Sequence, residues 1–157
     1  REKATGLPYL PGSSLKGTLR DACSDGSMCE KVFGPDTAHA ADYAGSVQFS
    51  DQRLLLLPIR SLAGTFAWVT SPYVLHRLLR DAQVAAVSGL PSNVPLPSDN
   101  ACMVSDVGCQ ITIGNQVILE DLDLRATHDS GAVDWQAGLS QRPGLAADAD
   151  RAFCRHL

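Results

Sequence analysis

The residues that could do chemistry stand together near the start of the chain, around Pro11 and Gly12. These two form a turn, and the hydroxyl of Ser13 can cap a helix expected from about Ser14 to Cys23. One face of that helix combines a hydroxyl, two cations and a glycine: Ser13, Lys16, Gly17 and Arg20. Unpaired amides at a helix start favour anions, so this face is suited to binding phosphate.

An ordinary capped helix is the alternative that the same residues allow. Leu15, Leu19 and Ala22 recur at helical spacing and would form its buried stripe. Glycine–serine turns that cap amphipathic helices are common, so physical chemistry alone favours this alternative. Gly17 argues for the phosphate site, because glycine costs roughly 1 kcal/mol against alanine inside a helix and should serve a close backbone approach.

Length and composition predict one globular domain over residues 1–157, with 45% apolar and 19% charged residues. No apolar run approaches the roughly 20 residues that span a bilayer, so we expect a cytoplasmic protein with no membrane partner. The first residue is Arg1 rather than Met, and we expect the chain to be a piece of a longer protein.

The net charge of −4 argues against a general polyanion-binding protein, which usually carries an excess of basic residues. A local cationic groove remains compatible with this charge if the acidic residues lie elsewhere. Four cations could supply such a groove: Lys16, Arg20, Arg53 and Arg60.

The cysteine spacing predicts no metal site. Cys23 and Cys29 are separated by five residues, and Cys102 and Cys109 by six, whereas zinc sites have tighter pairs. The total of five cysteines is odd and shows no framework spacing. We therefore expect reduced, mostly buried thiols.

Two further groups of polar residues have ordinary explanations. His39 stands beside Asp36 and Asp42 in a predicted loop, where a metal site is conceivable but solvated charges are the usual case. Asp51 precedes Arg53, and a salt-bridged aspartate at a strand end is favoured over a catalytic one. The residues by themselves therefore predict neither a catalytic side chain nor a metal ligand.

Alternation of apolar and polar residues predicts the strands. Residues 47–51 are typical of a half-buried strand, and residues 54–57 of a strand covered on both faces. Residues 65–70 predict another strand, with Phe66 and Trp68 on one face beneath the helix that follows.

That helix has the clearest start signal in the chain, Ser71-Pro72, and is expected to end near Val87. Its predicted buried face consists of Val74, Leu75, Leu78, Leu79 and Ala82. A loop-rich insertion is expected around 88–116, followed by a strand over 116–124 that turns outward at Glu120 and Asp121. Beyond these, we expect a poorly packed segment around 127–147 and a closing helix over 148–156.

The first motif also resembles a known family. Pro11-Gly12-Ser13-Ser14-Leu15-Lys16-Gly17, followed by Leu19-Arg20, closely resembles the signature of the RAMP superfamily of CRISPR-associated proteins. The segments 49–62 and 64–72 are similar to the backbone subunits of the type III-B (Cmr) CRISPR effector complex. Val117-Ile118-Leu119-Glu120-Asp121 gives weaker support. The resemblance is specific over residues 5–80.

The resemblance implies an α+β fold of the ferredoxin-like class, a modified RNA-recognition fold. Such a fold has an antiparallel sheet with helices on one face, and its first strand would lie before residue 1. The family's subunits form a filament along a guide RNA, so the implied partners are guide RNA, its target RNA, copies of this protein and other effector subunits. The implied RNA-binding residues are Gly12, Ser13, Ser14, Lys16, Gly17, Arg20, Arg53 and Arg60.

The resemblance also implies an activity for the full-length protein. Members of the family cut the paired target RNA with a divalent metal, for which we expect Mg²⁺ or Mn²⁺. Their cutting depends on an acidic residue just ahead of the motif. Glu2, the acid that precedes the motif here, does not stand at that position. We therefore expect no catalytic residue, metal ligand or cofactor within this chain.

Two alternative classes of function remain. The first is another RAMP subunit, either the type III-A backbone protein or a guide-processing endonuclease. A processing enzyme would usually need a histidine near the start of the chain, and none of the four is placed so: His39, His76, His128 and His156. The second is a ferredoxin-like binding module without nucleic acid, which a salt-titrated RNA-binding assay separates from the others.

Overall fold

The computed structural model describes residues 1–106 and 109–141, which form a mixed α+β structure. The chain divides into two compact units, Arg1–Leu54 and Leu55–Leu157. The organisation as a single domain stays a prediction, and the closing helix expected over 148–156 lies outside the described residues. Within the described ranges, no helix has the length and apolar character needed to cross a membrane.

The first unit contains two short strands, two α-helices and a 3-10 helix over Thr37–His39. The strands and α-helices are β1 (Tyr9–Leu10), α1 (Gly12–Asp21), α2 (Gly26–Phe33) and β2 (Gln52–Arg53). β1 and β2 pair antiparallel, with Tyr9 opposite Arg53. The strand predicted over 47–51 is wrong, since strand pairing begins at Gln52, one residue after the predicted strand ends. Residues 46 and 47 instead lie against the last turn of α2, where their amides donate to the carbonyls of Lys31 and Val32.

α1 begins two residues earlier than predicted, and its cap comes from a distant residue. Pro11 is the N-cap and supplies no side-chain hydrogen bond. The amide of Gly12 donates to Oδ1 of Asp51 at 2.8 Å, so the prediction that Ser13 caps the helix is wrong. A Cβ on Gly12 would collide with the carbonyl oxygen of Phe49, and glycine therefore permits this close approach.

The predicted buried stripe of α1 is also wrong. Leu15 is half-buried, Leu19 is 41% exposed and Ala22 is exposed. Gly12 is the buried residue of this helix. The helix is packed at its first turn, against residues 49–51, rather than along the leucine face.

α2 has a side-chain cap at its start and a glycine at its end. Oδ1 of Asp25 accepts from the amide of Met28 at 3.2 Å and caps the helix start. At the other end, Gly34 has φ = +86°, a left-handed conformation that glycine adopts readily. Gly34-Pro35 is therefore the breaker that ends α2.

The prediction of reduced thiols is wrong for one pair. Cys23 and Cys29 form a disulfide, because the turn between α1 and α2 brings their Cα atoms to 6.0 Å. Cys102 and Cys109 are free and half-buried, as expected. Burial, and to a smaller extent Cys109, raises the pKa of the Cys102 thiol, which keeps that thiol protonated. Cys154 lies outside the described residues.

The second unit contains two sheets. A hairpin pairs β3 (Leu57–Arg60) with β4 (Phe66–Val69). A four-stranded sheet has the order β5–β8–β7–β6, and its strands are β5 (Ala101–Val104), β6 (Thr112–Ile113), β7 (Gln116–Leu119) and β8 (Leu122–His128). The two are joined where Ser61 bridges Leu119.

Three strand predictions change in this unit. The strand expected over 54–57 begins at Leu57 and continues through Pro58, which a two-stranded hairpin tolerates because it has open edges. The prediction of a purely antiparallel sheet also fails at β5, which runs parallel to β8. Between β5 and β8 in the sequence, β6 and β7 form an antiparallel hairpin. β8 is antiparallel to β7 and therefore runs in the same direction as β5. The single strand predicted over 116–124 is instead two strands, since Glu120 and Asp121 form a turn that connects β7 to β8.

The buried core of the second unit does not include the rings of Phe66 and Trp68, which the sequence predicts to lie beneath the helix that follows β4. Ala67 is fully buried on β4, whereas Phe66 is 38% exposed and Trp68 is half-buried. Phe66 and Trp68 do share one face of β4 and contact edge to face at 5.9 Å, as predicted. Their burial beneath the helix is wrong, because the alternate residue Ala67 points into the core. The buried cluster is Ala67, Val104, Ile111, Val117, Leu119 and Ala126.

Two helices surround a second core cluster. α3 (Pro72–Val84) begins as predicted, with Ser71 accepting from the amide of Val74. Its predicted face is confirmed: Val74, Leu75 and Ala82 are buried, and Leu78 and Leu79 are half-buried. α4 (Ser130–Ser140) adds Trp135 and Leu139, both 3% exposed, to the cluster of Leu75 and Val94.

α4 corrects the prediction of a poorly packed segment around 127–147, at least over its described part. Asp129 caps the helix by accepting from the amide of Ala132 at 3.0 Å. Trp135 donates from Nε1 to the carbonyl of Asn93 at 2.7 Å and thereby holds the irregular segment before β5. The segment 88–116 is irregular up to Asn100 and then contains β5 and β6.

Removing the remote cap should destabilise the first unit. We expect Asp51→Ala to lower the free energy of unfolding by about 1 kcal/mol, because the Gly12 amide loses its acceptor. Asp51→Asn keeps an acceptor oxygen and should cost less. Denaturant unfolding measures both, with Asp42→Ala as the exposed control. Equal stability of Asp51→Ala and the control would contradict the capping role.

Trp135 should be the most sensitive residue of α4. Trp135→Ala should cost about 3–5 kcal/mol through lost burial. Trp135→Phe should cost less than Trp135→Ala. It loses about 1 kcal/mol for the hydrogen bond to Asn93, in addition to the burial lost with the smaller ring. Thermal unfolding measures these losses against Val133→Ala, a more exposed position on the same helix. A Trp135→Ala protein with an unshifted transition would show that α4 does not contribute to the core.

Candidate nucleic-acid interface

A cleft of about 740 Å³ lies beside α1 in the first unit. Its α1 wall carries Gly12, Ser13, Lys16 and Arg20. The opposite wall comes from residues 33–49, the segment that leaves α2 and approaches the start of α1. The cleft therefore places two cations and a hydroxyl on one side of an open volume.

The two cations share a helix face because they are four residues apart. Lys16 and Arg20 are both half-buried. Nη1 of Arg20 donates to the carbonyl oxygen of Pro35 at 2.8 Å, which ties α1 to the opposite wall. This bond uses one of the five guanidinium N–H groups, so the same side chain can donate to a ligand as well.

The far wall carries a negative charge that is held in place. Oδ1 of Asp36 accepts from the amide of His39 at 3.0 Å and contacts Nδ1 of its ring at 2.8 Å. The side-chain contact with His39 is the main cause that lowers the pKa of Asp36. An anion in the cleft is therefore attracted to the α1 wall and repelled by Asp36.

The cleft brings together four of the eight predicted RNA-binding residues: Gly12, Ser13, Lys16 and Arg20. Gly12 differs from the expectation, since its amide already bonds to Asp51. Arg53 is exposed on β2 of the same unit. Arg60 is exposed on β3 and belongs to the second unit.

Ser14 and Gly17 lie on the exposed surface of α1. A Cβ placed on Gly17 would meet no described atom within 4 Å. The close approach that this glycine permits is therefore not made by any described residue of the chain. The helix backbone at Gly17 is accessible to another molecule.

Sequence reasoning missed the part that four residues take in this interface, one acidic and three aromatic. Asp51 was expected to pair with a side chain, yet it fixes the helix start. The rings of Phe33 and Phe49 stack at 5.7 Å and line the cleft. Tyr43 also lines it. The breaker at Gly34-Pro35 signals that the chain turns back here, but no local pattern identifies which ring it brings to the cleft.

The described residues contain no cluster of side chains suited to a metal ion. Across residues 1–106 and 109–141, no group of three or more His, Cys, Asp or Glu side chains could hold an ion. Asp36 and His39 contact each other because Asp36 caps the 3-10 helix Thr37–His39.

A second cavity, of about 370 Å³, lies within the second unit. Its lining contains no charged side chain among the described residues and includes Trp68, Leu75, Met103 and Trp135. It is therefore unsuited to phosphate, and the cleft beside α1 is the better candidate for an anionic polymer.

The chain is similar to known proteins in both sequence and structure. The curated relative "CRISPR system Cmr endoribonuclease Cmr4" of Pyrococcus furiosus is 37% identical over 138 residues, covering 85% of this chain and 45% of the relative. The crystal structure of oligomeric Cmr4 from the same organism matches with a TM-score of 0.75 and 33% identity, covering 90% of this chain and 54% of that one. A structure of Pyrococcus furiosus Cmr4 (Cas7) matches with a TM-score of 0.69 and 32% identity, covering 90% and 55%.

The chain thus spans about half the length of the relatives that it matches. The family model of the RAMP superfamily matches residues 1–130, well over half of the 157 residues. That range includes the whole α1 motif and the cleft beside it. The chain belongs to the RAMP superfamily.

Proposed function

We propose that this chain is the guide-RNA-binding part of a backbone subunit of a type III-B CRISPR effector complex, which targets RNA in antiviral defence. The observation that carries the proposal is the cleft, where the family motif presents Lys16 and Arg20 beside the start of α1. The relative at 37% identity supports the same assignment. The cytoplasm is the compartment that we propose for it.

Lys16 and Arg20 would bind phosphate oxygens, with Ser13 and Ser14 as additional hydrogen-bond donors. Gly17 would let the RNA backbone approach the helix, since a Cβ there meets open space. Such contacts position a strand without reading its sequence, which the pairing of guide and target does instead. We also propose RNA contacts for Arg53, which is exposed on β2 of the same unit, and for Arg60, which is exposed on β3 of the second unit.

For the complete protein we propose a ferredoxin-like arrangement, assembly with copies of itself along the guide, and contact with target RNA and other effector subunits. The α+β structure and the match to an oligomeric relative support this proposal. Asp51 has no catalytic part in it, because its carboxylate caps α1.

We also propose that the complete protein cuts paired target RNA with Mg²⁺ or Mn²⁺, as the name endoribonuclease of its relative suggests. The described residues do not fit a divalent ion, since they offer no cluster of three ligands. We therefore assign no residue of these ranges to the metal.

Removing the cations of the cleft should weaken RNA binding for all sequences alike. In the full-length protein, Lys16→Ala and Arg20→Ala should each lower affinity for guide RNA. Each lost phosphate contact should also reduce the slope of log affinity against log salt by roughly 0.7. Filter binding at several salt concentrations measures both quantities.

Lys31→Ala is the matched control, because Lys31 is exposed on α2 and lies outside the cleft lining. It should leave the slope unchanged. A double variant of Lys16 and Arg20 with the affinity and slope of the control would contradict the proposed function.

Cleavage should survive the loss of the Asp51 charge. Asp51→Asn in the full-length protein should retain metal-dependent cutting of paired target, because an amide oxygen still accepts from Gly12. Denaturing gels with Mg²⁺ or Mn²⁺ follow the cuts, and chelation should abolish them. Loss of cutting in Asp51→Asn with guide binding retained would make Asp51 a catalytic residue.

A further inference from the structure

The cleft beside α1 has an aromatic side as well as a cationic one. Tyr43 lines the same cleft as Lys16 and Arg20, and it is 48% exposed. Phe33 and Phe49 stack on each other and also line the cleft. The cations suffice to bind a phosphate group, and the exposed aromatic surface adds nothing to that binding.

The backbone around Tyr43 is held firmly by the end of α2. The amides of Ser46 and Val47 donate to the carbonyls of Lys31 and Val32 at 2.9 and 3.3 Å. A Cβ on Gly45 would collide with the carbonyl of Val32, so this residue lets the segment lie directly against the helix. Tyr43 stands two residues before this contact.

The hydroxyl of Tyr43 is directed toward α2. It donates to Oε2 of Glu30 at 3.4 Å. Desolvation, followed by the charge of Glu30, raises the pKa of Tyr43, so the hydroxyl is neutral near pH 7 and does not repel an RNA strand. Tyr43 as a whole residue stays 48% exposed while its hydroxyl is hydrogen-bonded to Glu30.

We propose that the ring of Tyr43 is a stacking surface for one nucleobase of the RNA strand whose phosphates Lys16 and Arg20 bind. This inference rests on the proposed function and adds to it a contact with a base. Aromatic side chains next to cations are the usual means of binding single-stranded nucleic acid, since stacking holds a base and cations hold the backbone. Every base has a flat face, so the contact is independent of sequence.

The experiment compares RNA with an oligonucleotide of equal length that has the same ribose–phosphate backbone but no bases. In the full-length protein, Tyr43→Ala should lower affinity for base-bearing RNA about tenfold. Its affinity for the abasic strand should equal that of the unmodified protein. Tyr43→Phe should bind both strands normally, because it keeps the ring and loses the bond to Glu30.

Two controls separate stacking from other effects. Tyr73→Ala removes the ring of a residue that is 51% exposed on α3 and lies outside this cleft, and it should change neither affinity. Lys16→Ala should weaken binding of the base-bearing and the abasic strand by the same factor, because phosphates are present in both.

The outcomes distinguish this inference from the function on which it rests. Equal losses for both strands in Tyr43→Ala would overturn stacking, as would affinity unchanged for both. If Lys16→Ala still weakens binding in either case, phosphate binding by the cleft stands and the base contact alone is wrong. If neither variant changes affinity for any strand, the inference and the proposed function are both overturned. A loss confined to the base-bearing strand supports the stacking surface.

Discussion

The hydrogen bond from the Gly12 amide to the Asp51 carboxylate joins residues 39 positions apart, and the first unit depends on it. It satisfies an amide that has no partner within the helix and places a negative charge at the positive end of α1. It also brings residues 49–51 against the first turn of the helix, where Gly12 is small enough to accept them. The segment that leaves α2 must therefore return to α1, and the cleft lies inside this return.

The charges of the cleft follow from this arrangement. Lys16 and Arg20 project from one face of a helix whose start is already fixed by Asp51. Arg20 is tied to the carbonyl of Pro35, and Asp36 is tied to His39, so a cation and an anion stand at defined places on facing walls. An anion in the cleft is attracted to the α1 side and repelled by Asp36. A chain with a net charge of −4 can in this way present a local site that attracts anions.

The second unit is built on different contacts. Its sheet buries Val117 and Ala67, and its helices bury Trp135 and Leu75. The bridge between Ser61 and Leu119 continues the hairpin onto the four-stranded sheet. The indole of Trp135 donates to the carbonyl of Asn93 and so holds the irregular, proline-rich segment before β5 in place.

The sequence by itself determined the features that local chemistry controls. Ser71 and Pro72 begin α3, Gly34 ends α2, and the α1 motif places Lys16 and Arg20 on one helix face. These depend on caps, breakers and helical spacing, all of which act within a few residues. The motif also identified the family, since it has a characteristic order of residues.

Tertiary structure alone decided the contacts between distant segments. Asp51 rather than Ser13 caps α1, because a folded-back segment offers a better acceptor than the adjacent hydroxyl. Ala67 rather than Phe66 enters the core, because a strand's buried face is set by what packs against it and not by which of its faces is larger. Tyr43 reaches the cleft for the same reason: its place depends on where α2 ends and the chain returns, and no local pattern contains that distance.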